Sequence, residues 1–75
     1  MGKNFYYIVI ENIGKKYGAF AIKCSENENL KAKIKSQFFV TVTPCKTLKE
    51  ARARAQLYNS EFAERGEYLY DGVPF

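Results

Sequence analysis

The sequence predicts an α+β domain: an antiparallel sheet of three strands, or four, packed on one face by a single long amphipathic helix, in the order β-β-β-α(-β). Three observations lead there. Two runs rich in aromatic and β-branched residues flank a glycine-containing turn. A third such run leads into a proline. A capping sequence then opens a stretch of strong helix formers whose apolar residues recur at three- and four-residue steps.

The first run is residues 4–11, Asn-Phe-Tyr-Tyr-Ile-Val-Ile-Glu, and the second is residues 17–24, Tyr-Gly-Ala-Phe-Ala-Ile-Lys-Cys. Residues 12–16 join them into a hairpin, with Gly14 free to adopt positive φ. Ser25 to Asn29 is polar and reads as a loop. Leu30 to Lys35 stays ambiguous: Leu30 and Ile34 are spaced for one helical turn, while Lys31, Lys33 and Lys35 alternate as on a strand. Residues 36–43 form the third strand, which Pro44 ends because it has no N–H for the ladder.

Thr47-Leu48-Lys49-Glu50 is a capping box for a helix over residues 48–65. Leu48, Ala51, Ala55, Tyr58 and Phe62 share one face, and the two alanines let the axis approach a sheet closely. Gly66 suits the position just past the helix, and Arg65 the negative end of its dipole. Glu67 to Tyr70 offers a short edge strand, Asp71-Gly72 a turn and residues 73–75 a tail.

Seventy-five residues hold one domain with a thin core. Hydrophobic residues make up 47% of the chain, too many for a disordered tail. No run reaches membrane-spanning length, and the first four residues lack the apolar segment of a secretory signal, so a cytoplasmic location is expected. Cys24 and Cys45 are too few for a zinc site or a stapled scaffold. They read as two buried thiols near the sheet, with a disulfide between them as the alternative.

The chain contains no His, which removes the commonest general acid–base and metal ligand and any triad built on one. Glu, Lys, Tyr and Cys chemistry remains open in principle, but one helix on a small sheet promises no deep cleft to tune such groups. The expectation is a non-catalytic binding module with no cofactor, metal or small-molecule substrate and no membrane contact.

Strand alternation assigns two faces. Tyr6, Ile8, Ile10, Phe20, Ile22, Cys24, Phe38, Val40 and Val42 form the set expected beneath the helix. The opposite set holds Phe5, Tyr7, Tyr17 and Phe39, an aromatic patch without cover, together with Lys23 and Lys35, and Lys33 is expected on or around the same face. Charge is uneven as well. Residues 1–46 carry eight Lys against three Glu, a net of +5, while residues 47–75 carry one Lys and three Arg against four Glu and one Asp, a net of −1. The open sheet face is therefore the expected contact surface, for a protein partner or a second copy of the chain. The alternative is DNA or RNA, with lysines on phosphates and rings on bases. Against it, all three arginines lie on the helix, away from that face. A three-stranded sheet backed by one helix is similar in layout to the arm-site DNA-binding modules of tyrosine integrases, in architecture alone.

The stretch from Cys45 to Ala51, then Asn59 and Phe62, then Gly66-Glu67-Tyr68-Leu69-Tyr70, resembles the tail of short uncharacterised proteins of Gram-positive bacteria and their mobile elements. In those an N-terminal hairpin precedes a capped helix ending in a Gly-x-Tyr segment. The resemblance implies a bacterial, intracellular, plasmid- or phage-associated accessory protein and transfers no site residues.

Overall fold

The computed structural model of the chain describes residues 3–34 and 37–70. Lys35 and Ser36, the Asp71-Gly72 turn and the 73–75 tail read from the sequence lie outside the described residues. The fold is α+β, with β1 (Asn4–Ile13), β2 (Lys16–Ser25), a one-turn helix α1 (Leu30–Lys33), β3 (Phe39–Cys45) and the long helix α2 (Leu48–Glu64). The sheet is antiparallel with spatial order β2-β1-β3, so β1 is central. Among the described residues no helix is long and apolar enough to cross a membrane.

The hairpin closes through Gly14 and Lys15, with Ile13 paired to Lys16 and Gly14 at φ +67. Positive φ at the first position of a two-residue loop matches the right-handed strand twist. The Asn12 amide ties the turn by donating to the carbonyls of Gly14 and Lys16, at 3.1 and 2.9 Å. Leu30 to Lys33 resolves as helix, capped by Asn29, whose side chain accepts from the Lys31 amide at 3.0 Å.

β3 corrects one expectation: Pro44 lies inside it, and the strand continues to Cys45. Pro44 faces Tyr7, and the β1–β3 bonds are made by alternating residues on either side of it, so its missing N–H falls on the outer edge. A bulge opposite Ile10 and Glu11 interrupts the same strand at Val40.

In α2 the Thr47 hydroxyl accepts from the Glu50 amide at 3.0 Å, but the Glu50 carboxylate accepts from Lys46 at 3.1 Å, one residue before the expected reciprocal bond. The helix ends in a Schellman motif: Gly66 at φ +71 donates to Ala63, and Glu67 donates to Phe62. Ala51, Ala55 and Phe62 are buried against Ile8 and Ala19. Tyr58, expected on that face, is 38% exposed. α2 lies mainly over β2, less over β1 and least over β3. It therefore leaves one edge of the sheet uncovered on its own side. After the helix, residues 67–69 return to β2, where Tyr68 bridges Tyr17 in parallel; this is the short fourth strand reduced to one bridge.

Candidate interaction surfaces

The two-residue turn fixes the parity of the whole sheet. Ile8 faces Ala21 and Ile10 faces Ala19, so odd residues of β2 share a face with even residues of β1. A slip of one residue exchanges faces for an entire strand. Hence Tyr17, Ala19, Ala21 and Lys23 lie on the helix side, while Phe20, Ile22 and Cys24 lie on the other, the reverse of the sequence assignment. In β3, Thr41 and Thr43 pair with Ile10 and Ile8 on the helix side, and Val42 pairs with Val9 on the second face, again the reverse.

The expected contact set is thereby divided. Tyr17 belongs to the core, its ring stacked on Phe62 with centroids 5.5 Å apart. Lys23 is exposed on the helix side. Lys33 pairs with Glu28 at 3.0 Å. The Ser25 amide first, then Lys33, holds the exposed Glu28 carboxyl down to about 2. Lys35 lies outside the described residues. Phe5, Tyr7 and Phe39 do share the second face, Phe5 at 42% and Phe39 at 36% exposure and Tyr7 half-buried. The basic, aromatic platform drawn from the sequence is not assembled.

Nor is the second face bare. Val9 is fully buried there, Cys24 is 3% exposed, and the Cys24 thiol reaches the carbonyls of Ser25 and Glu28. That contact seats the start of the β2–β3 connection on this face, and Ile34 farther along it is buried too. At the other end the C-terminal segment passes round the edge of β2. The Tyr70 ring lies on Gly18, where an added Cβ would meet it at 2.5 Å, and the Tyr70 hydroxyl donates to the buried Glu11 carboxylate. Burial, and then the Glu11 carboxylate, raise the Tyr70 phenol well above its ordinary range. Both cysteines are free, Cys24 buried on the second face and Cys45 half-buried on the helix side.

Besides Phe5, and Leu57 and Tyr58 on α2, the exposed large apolar side chains gather at the hairpin end. Ile13 is 46% and Val40 59% exposed, with Phe38 and Phe39 alongside Glu11 and Asn12. Exposed Lys15 and Lys16 follow in the chain. The Glu67 carbonyl, 2.7 Å from the Tyr17 amide, brings exposed Glu64 and Arg65 to the same end.

The flanks of α2 differ. One carries Arg54 paired to Glu50 and Arg65 paired to Glu61, with Leu57 68% exposed between them. The other overhangs β2 and encloses a groove of about 630 Å³, lined by Arg52, Gln56, Asn59, Ser60 and Tyr68 over Ala21. Within it the Asn59 amide accepts from the Ala19 N–H at 2.7 Å and donates to the Ala19 carbonyl at 2.9 Å, standing in for a neighbouring strand. The sequence reading missed this role; a polar residue next to the buried helical stripe was its only signal.

No family model matches the chain, and no curated protein or solved structure matches it.

Proposed function

We infer that this chain is a non-catalytic protein-interaction module that associates with a second copy of itself through the hairpin end. One observation carries the reading. Ile13, Phe39 and Val40 meet solvent in one place, although most apolar residues of the two sheet faces are at least half-buried. Clustered exposed apolar side chains rimmed by charge mark contact surfaces. The rim here carries both signs, Lys15, Lys16 and Arg65 beside Glu64, which suits an isologous interface. Edge-to-edge strand pairing fits less well. β3 is blunted by Pro44 and a bulge, and part of β2 is closed by Asn59 and residues 67–69.

Sedimentation equilibrium of the wild type beside a Phe39→Ser, Val40→Thr double variant tests the reading. A concentration-dependent dimer in the wild type and a folded monomer in the variant are expected. A wild type that stays monomeric at the highest attainable concentration sinks it. Salt-sensitive retention on mixed-sequence DNA by that monomer would favour the nucleic-acid alternative instead.

A further inference from the structure

We propose that the groove between α2 and the outer edge of β2 receives an extended acidic peptide, which adds as a short strand beside Ala21 and Lys23. The first support is the backbone. Along β2 the N–H and C=O of alternate residues point away from β1. At Tyr17 both outward groups are taken, by Glu67 and Leu69, and at Ala19 both are taken by Asn59. Farther on, the Ser25 amide is held by Glu28 at 3.0 Å. Between these closures lie Ala21 and Lys23, whose outward groups have no partner among the described residues. The fold thus completes its β2 edge at both ends and leaves a gap of one strand step in the middle.

The second support is charge. α2 runs antiparallel to β2, since Phe62 lies at Tyr17 and Asn59 at Ala19. From Asn59 to Arg52 the helix advances about 10 Å. From Ala19 to Lys23 the strand advances about 13 Å. Arg52 therefore stands between the levels of Ala21 and Lys23, and Lys49 follows one turn on, past Lys23, seven residues from Gln56 and on the same flank. Arg52, Lys23 and Lys49 are exposed, and none forms an ion pair among the described residues. Among the described residues no acidic side chain lines the groove. Glu50 and Glu61 are bound to Arg54 and Arg65 on the opposite flank.

Together these features specify the occupant. A sheet edge presents donors and acceptors in alternation, which a peptide backbone matches and a phosphate backbone, carrying acceptors only, does not. Because strand side chains alternate, every second residue of the added peptide faces the helix side, where the cations stand. Acidic residues at that spacing satisfy Arg52 and Lys23 while the backbone satisfies Ala21 and Lys23. The surface is separate from the hairpin end and does not depend on it.

The test uses fluorescence anisotropy with a labelled peptide of alternating Glu and Val against the full chain. Competitors are the same peptide with Lys for Glu, a version N-methylated on alternate amides, and oligothymidylate. The acidic peptide is expected to bind, the lysine and N-methylated peptides are not, and Arg52→Ala should weaken binding about tenfold, the scale of one charge-assisted hydrogen bond. Arg54→Ala, on the paired flank, should leave it unchanged. Amide shifts at Ala21 and Lys23 should mark the contact. No binding, equal binding of the N-methylated peptide, or binding of oligothymidylate in place of the acidic peptide overturns the proposal.

Discussion

Glu11 is the one buried charged residue among the described residues, a carboxylate 8% exposed on the central strand. Tyr70, fifty-nine positions away, supplies its hydrogen bond. Gly18 makes this possible, because no other residue leaves room for the ring on that strand. Tyr70→Phe strips a buried acceptor of its donor and should cost about 1–3 kcal/mol, read by chemical denaturation. The pH dependence follows in sign. The folded-state phenol lies above the ordinary 10.0, so its stabilisation is complete below that pH and is lost as pH climbs through the folded value. The thermal unfolding midpoint of the wild type should therefore fall above pH 10, and Tyr70→Phe should flatten that decline. The acidic side belongs to Glu28. Its carboxyl is depressed from 4.5 to about 2, so its contribution holds above 4.5 and fades as pH falls between those values.

At the scale of elements, α2 depends on its ends because its buried stripe is thin: two alanines and one phenylalanine. Thr47→Ala leaves the Glu50 amide without its acceptor and should cost about 1 kcal/mol, measured as a shift in denaturation midpoint with unchanged slope. The helix was legible in the sequence because its signals are local. Thr47, Glu50 and Gly66 act within one turn of where they stand. The strands were legible for the same reason, since Tyr6 to Ile10 can hardly be anything else. The faces were not. Whether the hairpin loop holds two residues or three decides whether Tyr17 or Phe20 lies beneath α2, and Asn12 to Lys16 accommodates both. Pro44 misled in a related way: its effect on a strand depends on which edge it faces, a property of the sheet and not of the segment. Asn59 was missed because its partner, Ala19, is distant in sequence and carries no side-chain signal.

The whole molecule is elongated, 43 by 24 by 21 Å, with a thin layer on each side of one small sheet. α2 covers β2 and part of β1 on one side. On the other, Tyr70 covers Glu11, and the start of the β2–β3 connection lies against Cys24. That second covering was beyond sequence reasoning, since Tyr70 belongs to no periodic stretch and its partner Glu11 is fifty-nine positions away. Native-state hydrogen exchange should reflect the layering. The amides of Ile8 to Ile10, bonded on the central strand, should exchange slowest, and those of residues 26–33 fastest after the turns. Comparable protection across both segments would mean that the connection is as firmly held as the sheet.

The alanines that bring α2 close to the sheet also make the contact smooth. Ala51 and Ala55 have no side chain long enough to lodge between strand residues, so along that stretch packing does little to stop the helix sliding on β2. The Asn59 amide removes that freedom. Its donor and acceptor match a single peptide group at Ala19, and a displacement by one strand residue would present it with groups pointing toward β1. The Asn59 amide, with Phe62 stacked on Tyr17 one turn away, thus sets the axial position of the rod, and with it the level at which Arg52 stands.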